Sequence, residues 1–263
     1  MNSQPEVIAH RGGRWPETSE NTLAAFTLAA EAGVGWMETD VHASSDGVLF
    51  AAHDADLSRI AGRPHLIREL SAAELDRLDL VDGGRLPRLG ALFDALPHVE
   101  WNIDVKSPVS IAAMIRFVRA RRVEDRLRLA SFSDTTLTRL RRALPGVRTS
   151  AGTGETARFA AGALPFLPAR GLLRLPPGLD ALQVPMRWKR VPVVTADFVD
   201  RAHRIGLAVH VWTIDDPADM VELARLGVDG IVTDEVRLAQ TTLSSLTGLS
   251  AGIPGRKGNS RRR

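Results

Sequence analysis

His10-Arg11-Gly12 puts a side chain that can carry a proton near neutral pH beside a fixed guanidinium fork. Histidine changes charge close to neutrality, and arginine grips planar anions through paired N–H groups. Together they suit chemistry on an anion, most naturally a phosphate. Two further stretches space ionisable groups two apart, Glu38-Thr39-Asp40 and Asp104-Val105-Lys106. Successive side chains of an extended chain alternate, so Glu38 shares a face with Asp40, and Asn102 and Asp104 share one with Lys106. Three carboxylates brought together repel and raise one another's pKa unless a cation sits among them. All-oxygen donors select a hard ion, so Glu38, Asp40 and Asp104 are expected to hold one divalent cation, Mg2+ or Ca2+, rather than Zn2+. The competing expectation is that Glu38 or Asp40 pairs with loop arginines, which this chain has in abundance.

Lys106 is one of only three lysines, with Lys189 and Lys257, among 34 basic residues. Its place suggests a compact ammonium where a fork would not fit, neutralising either a phosphate oxygen or the carboxylate cluster. His42 and His210 stand at or near strand ends and are second-rank candidates. His65, His98 and His203 fall in stretches that read as exposed.

The elements that must position these groups follow from the apolar pattern. Val7 to Ala9 reads as a short buried strand, broken by Gly12 and Gly13, after which Ser19 or Glu20 opens a helix over Asn21 to Glu31. Trp36 to His42 and Trp101 to Lys106 alternate as strands. Apolar runs at Leu127 to Ser131, Val147 to Ser150, Ala181 to Val184, Leu207 to Trp212 and Val228 to Thr233 are each followed by a helical pattern. Eight βα units with no second domain predict an α/β protein, a single TIM (β/α)8 barrel, whose reacting groups collect at the carboxyl ends of the strands. Residues 152 to 180 form an enlarged loop and helix after the fifth strand.

The 263 residues, 44% hydrophobic, suffice for one such barrel. Cysteine is absent, which removes disulfides and thiolate metal sites. The formal charge of +3 rests on Arg256, Lys257, Arg261, Arg262 and Arg263; without these five the rest is net negative. The chain is therefore expected to divide into a catalytic barrel, 1–245, and a basic, disordered tail, 246–263. Few aromatic residues and no tyrosine leave little material for stacking bases, so no nucleic acid is expected. No signal-peptide pattern precedes the first strand, and the apolar stretch Phe159 to Leu182 is cut by Pro165, Pro168, Pro176 and Pro177. Neither membrane insertion nor export is expected, and the cytoplasm is the expected location. Oligomeric state is left open. Gly152-Thr153-Gly154-Glu155-Thr156-Ala157 fits G-x-G-x-x-A, but no acidic residue follows about twenty positions on, so it reads as a glycine loop.

Taken in order, His10-Arg11-Gly12, Glu20-Asn21-Thr22, Glu38-x-Asp40, His53-Asp54 and Asp104-x-Lys106 resemble the motif series of the glycerophosphodiester phosphodiesterases. Ser131-Phe132, Val211-Trp212-Thr213 and Gly230-Ile231-Val232-Thr233-Asp234 extend the likeness to the eighth strand. The resemblance implies a TIM-barrel hydrolase of lipid and glycerol metabolism. Such an enzyme cleaves small glycerophosphodiesters to glycerol 3-phosphate and an alcohol, using a divalent metal and two histidines. Carried over, it gives the metal to Glu38, Asp40 and Asp104 and the phosphoryl oxygens to Arg11 and Lys106. His10 becomes the general base and His53 the general acid, with the exchanged assignment open. Trp212 offers an apolar wall to the glycerol carbons or the leaving group. One position departs, since the family usually has Glu where this chain has Asp104, a ligand one methylene shorter. Two other functions are weighed. A lysophospholipase D-like enzyme would need an apolar groove, which only Phe159 to Pro177 could supply. A non-catalytic module for phosphorylated ligands or membranes would leave both histidines and all three acidic groups without a purpose.

Overall fold

The computed structural model of the chain describes residues 4–16, 18–161 and 176–250, with side chains described through 246. Eight parallel strands close on themselves: β1 (Glu6–His10), β2 (Trp36–Ala43), β3 (Glu100–Val105), β4 (Leu127–Ala130), β5 (Arg148–Ser150), β6 (Leu179–Pro185), β7 (Ala208–Trp212) and β8 (Gly230–Thr233). Each pairs with the next, and β8 pairs with β1, so the expected barrel is the observed one. Around it lie α1 (Leu23–Glu31), α2 (Leu89–Ala95), α3 (Ser110–Arg121), α4 (Asp134–Ala143), α5 (Thr153–Ala161), α6 (Ala196–Arg204), α7 (Pro217–Leu226) and α8 (Val236–Ser250).

The pleat sorts the side chains. Odd positions of β2 and β3, such as Met37, Val41, Trp101, Ile103 and Val105, face the helices and are fully or almost fully buried there. Trp101 anchors this layer, edge-on to Phe26 at 5.0 Å and stacked on Phe93 at 5.5 Å. A second apolar layer joins β6 to β8 with α5 to α8. The opposite faces of the strands point inward, and there the apolar content is small: Ile8, Trp36 and Val232, with Trp212 packed against them. Most of the barrel's lining is polar, which a packed barrel avoids unless the groups are partnered or used.

Between β2 and α2 the chain makes an excursion that begins with the short strand Leu49–Ala51, antiparallel to β2. Phe50, Leu57, Ile67, Leu75, Leu80 and Leu86 give it an apolar core of its own. It includes His53.

The first helix starts later than its sequence pattern suggests. Asn21 takes a left-handed φ of 55°, and its buried carboxamide oxygen accepts from the Thr39 hydroxyl at 2.7 Å. Thr22 is therefore the cap, its hydroxyl accepting from the Ala25 N–H. Among the described residues no helix is long and apolar enough to cross a membrane. Most of the sequence-expected tail, 251–263, and most of the apolar loop, 162–175, lie outside the described residues.

Candidate active site

At the carboxyl end of β1 the chain turns sharply. Arg11, Gly12 and Gly13 all take left-handed conformations, with φ of 52°, 88° and 82°. A Cβ on Gly12 would stand 2.9 Å from the Ala25 side chain and 3.0 Å from its backbone carbon. Glycine lets the loop run against the first turn of α1. Backbone bonds then pin it: the Arg11 N–H donates to the Glu38 carbonyl at 3.0 Å and the Gly13 N–H to the His10 carbonyl at 2.8 Å. The Trp15 indole donates to the Gly12 carbonyl at 2.7 Å.

This loop aims His10 and Arg11 into the mouth of the barrel. His10 Nδ1 is 2.8 Å from Asp234 Oδ1, just past β8, and its Nε2 lies 3.9 Å from Glu38. Burial opposes charge on the ring, but the bond to Asp234 and the neighbouring Glu38 outweigh it and hold the His10 pKa above its ordinary value. Burial pushes Asp234 up as well, yet the His10 bond and the nearby arginines leave it below the usual carboxylate range.

A second histidine–aspartate pair comes from the excursion. His53 Nδ1 is 2.7 Å from Asp54 Oδ1, and Arg59 Nε donates to the other carboxylate oxygen at 2.5 Å. Burial raises Asp54, but these two hydrogen bonds override it and keep the acid low. Arg59 also donates to Glu20 at 2.6 Å, and Glu20 accepts from Arg11 at 3.3 Å. A chain of ionic contacts thus runs from Arg11 to His53. His42 Nε2, 3.1 Å from the His53 carbonyl, braces the backbone at that point.

Between the two pairs lies the carboxylate cluster. Asp40 and Asp104 are in register on adjacent strands. The Lys106 ammonium stands 2.8 Å from an oxygen of each. Arg11 Nε approaches Asp40 Oδ2 to 3.2 Å, out of hydrogen-bond alignment. Arg11 Nε, Asp40 Oδ2 and Asp104 Oδ1 are therefore buried without hydrogen-bond partners. Burial, then the neighbouring Asp40, push the Glu38 pKa up to about 8. Burial lifts Asp104 too, against the pull of Lys106. The two aspartates hold Lys106 charged despite its own burial.

Carboxylate oxygens buried without partners are an unmet demand for positive charge. The donor set, all carboxylate oxygen, fits a hard divalent cation. As the side chains stand, no three His, Asp or Glu among the described residues are gathered at metal-binding spacing, since the lysine ammonium spans Asp40 and Asp104. The expected pairing with loop arginines is present in part, through Arg11. In this arrangement the Lys106 ammonium neutralises the carboxylate cluster.

Trp212 ends β7 opposite Pro185, and the exposed Phe132 meets it edge-on at 5.8 Å. The Phe132 ring also lies 5.4 Å from the Lys106 ammonium. A pocket of about 240 Å³ opens on the other side of the site, bounded by Gly13, Glu20, His53, Arg59 and Asp234 and, under the excursion, Ile60, Leu80 and Leu86.

The sequence-expected site residues His10, Arg11, Glu38, Asp40, His53, Asp104, Lys106 and Trp212 all follow or approach carboxyl ends of strands at this one face. Sequence alone assigns no role to the partner of either histidine. Asp54 had a signal in its adjacency to His53, and Asp234 in its place one residue beyond a strand; Arg59 had none. The glycine loop binds carboxylates of its own chain: the Gly154 N–H donates to Asp134 at 3.1 Å and the Gly152 N–H to Glu155 at 3.0 Å. A Cβ on either glycine would run into the Asp134 carboxylate. His210 is far from the mouth, buried beside Arg128. Phe159 alone of the described part of the apolar loop is buried, against Phe198 at 5.0 Å, and the rest of that expected groove lies outside the described residues.

A sequence profile of the glycerophosphoryl diester phosphodiesterase family matches residues 10–238. The chain is 34% identical over 244 residues to the probable glycerophosphodiester phosphodiesterase 2 of Mycobacterium tuberculosis, covering 90% of each. A glycerophosphodiester phosphodiesterase structure from Parabacteroides distasonis superposes with a TM-score of 0.74 at 26% identity, covering 94% of this chain and 100% of that one. An Oleispira antarctica phosphodiesterase, solved with the product sn-glycerol-3-phosphate, shares the fold with a TM-score of 0.73 at 24% identity, over 92% of this chain and 97% of that one.

Proposed function

We infer the chemistry from one premise: the chain belongs to the glycerophosphoryl diester phosphodiesterase family and is a phosphoric diester hydrolase. The reading is metal-dependent hydrolysis of glycerophosphodiesters to glycerol 3-phosphate and an alcohol. The observation that carries it is the pairing of two buttressed histidines, His10 with Asp234 and His53 with Asp54, on either side of a buried carboxylate cluster in which one oxygen of Asp40 and one of Asp104 accept no hydrogen bond.

Arg11 and Lys106 bind the phosphoryl oxygens and stabilise the charge that builds on them, Lys106 turning to them from the carboxylates it neutralises in the structure. Glu38, Asp40 and Asp104 would hold Mg2+ or Ca2+, which when bound supplies a Lewis acid that polarises the phosphoryl group. His10, held by Asp234, takes the proton from the attacking water. Its imidazole must be neutral to do so, so the acidic limb of the pH–rate profile should report its titration. His53, held by Asp54, gives a proton to the departing alkoxide as the bond between phosphorus and that oxygen breaks. The pocket beside His53 receives the departing alcohol, and Trp212, beside Phe132, offers an apolar wall to the glycerol carbons. The catalytic unit is the barrel, 1–245, together with the end of α8, where Leu246 packs on the apolar layer, and residues 256–263 contribute nothing to turnover.

Hydrolysis of glycerophosphocholine in the presence of a chelator tests this reading. Turnover should vanish and return with Mg2+ or Ca2+ more fully than with Zn2+. Full turnover by protein shown metal-free by elemental analysis removes the carboxylate assignment.

A further inference from the structure

Beyond β6 the chain leaves the catalytic end of the barrel as a hairpin. Arg187–Trp188 pairs antiparallel with Val191–Pro192, with Trp188 opposite Val191. The stem is fixed, because the buried Met186 accepts from the Val193 N–H through its carbonyl at 3.0 Å and Pro185 is paired with Trp212. The tip is not covered. Trp188 is 68% exposed and Val191 65%. Directly opposed residues of a two-stranded ribbon stand on one face, so these two make a single apolar patch.

Cations frame the patch. The turn is Lys189-Arg190, and Lys189 holds a φ of 55° that glycine or asparagine would adopt with less strain. Among the described residues neither Lys189 nor Arg190 has an ion-pair partner, and Arg187 reaches only the exposed Glu222, at 3.4 Å. The same end of the barrel exposes Val109 and Phe132, each 58%, in the loops after β3 and β4.

We propose that this hairpin docks the catalytic end of the barrel onto an anionic lipid surface, with Trp188 and Val191 entering the interface and Lys189 and Arg190 meeting the headgroups. Tryptophan partitions to the boundary between water and lipid. Lysine and arginine beside it are drawn to anionic headgroups. A six-residue protrusion is a poor match for a stable protein contact, which needs about 800 Å² from each partner. A soft surface accepts a convex tip that no groove has to fit. The docking goes beyond the hydrolytic reading and does not depend on it.

The test uses the full chain and vesicles of phosphatidylglycerol and phosphatidylcholine in equal parts, some of the phosphatidylcholine brominated on its acyl chains. Partition is read by sedimentation and by quenching of tryptophan fluorescence. Wild type should bind these vesicles, bind pure phosphatidylcholine far less, and be quenched. The double variant Trp188→Ser with Val191→Ser should partition at least about tenfold more weakly and lose the quenching. Lys189→Glu with Arg190→Glu should weaken binding about as much. Both should melt like wild type and hydrolyse dissolved glycerophosphocholine at the wild-type rate. Binding carried by the C-terminal arginines alone would be unaffected by Trp188→Ser with Val191→Ser and would give no quenching. The proposal is overturned by that result, by wild type failing to bind, or by a concentration-dependent dimer that the double variant abolishes.

Discussion

The inside of the barrel carries two polar layers, one at each end of the strands, and they are balanced in opposite ways. Near the amino ends, Arg128 donates from Nε and Nη2 to Asp180, each at 2.9 Å. Its guanidinium also lies 4.8 Å from the Trp36 ring, with Arg148 at 4.9 Å from the same ring. Asn102 accepts from Gln183 at 2.8 Å. Burial and the arginine beside it drive the His210 pKa well below its ordinary value, so it stays neutral. At the carboxyl ends, Glu38, Asp40 and Asp104 share Lys106 and the imperfectly aligned Arg11, and two carboxylate oxygens go without partners. Carboxylates and their cations are tied off at one end, where Asp180 is partly exposed, and left short of positive charge at the other, where the acids are buried. The first arrangement makes a floor; the second makes a site that something positively charged improves.

The sharpest way to break this comparison is to remove one group beside the carboxylate cluster and one from the floor, and to read both stability and turnover. His53→Ala should cost about 10²- to 10⁴-fold on glycerophosphocholine, recover much of that on an activated aryl phosphodiester whose leaving group needs no proton, and leave the melting temperature near wild type. A loss equal on both substrates would mean that His53 is not the acid. Arg128→Met should do the reverse. It strands Asp180, costing about 2–4 kcal/mol, somewhat under the figure for a fully buried pair because Asp180 is partly exposed. Activity per folded molecule should be unchanged; a fall in kcat at unaltered stability would erase the distinction between the layers.

Smaller effects should appear in the pH dependence of the metal-free protein. Glu38 binds its proton more tightly folded than unfolded, so between its ordinary value and about 8 the native state holds the extra proton. Stability therefore falls as pH rises through that window, and Glu38→Gln should flatten the slope. Denaturant midpoints measured in chelator across that range decide it, a slope shared by wild type and variant counting against the cluster. Least of all should Asp104→Glu change, since it lengthens a ligand without altering its charge. Divalent-ion affinity by calorimetry should be equal or a few-fold tighter, whereas Asp104→Asn should weaken it about 10- to 100-fold. If Asp104→Asn binds like wild type, the upper layer is not a metal site.

What the sequence makes legible is periodic or local. The alternation of β2 and β3 displays Glu38, Asp40 and Asp104 on the inner face before any fold is known, and eight apolar runs each followed by a helix imply the closed sheet. His10-Arg11-Gly12 marks its own turn. What stays hidden depends on distant pairing. His10 meets a carboxylate 224 residues away, and the floor joins Arg128 to Asp180 and His210 through barrel closure alone. The later start of α1 turns on the cross-strand grip of Thr39 upon Asn21, which no local rule supplies. The glycine loop has its anions at hand for a related reason: a helix terminus asks for negative charge, and Asp134 and Glu155 of the folded chain supply it.

The separate core beneath His53 means that the enzyme is built from two bodies with unequal endurance. His10 and Arg11 ride on the barrel, whereas His53, the proposed acid, rides on an excursion joined to it by a three-residue strand, a few backbone hydrogen bonds and the Arg59–Glu20 ion pair. Small satellite clusters open before the whole molecule does. On warming, amide exchange should quicken across residues 53–86 first, and the enzyme should become choosy before it becomes inactive. It would still turn over esters whose alcohol departs unaided while failing on those that must be protonated, so that heat narrows its substrate range in advance of melting.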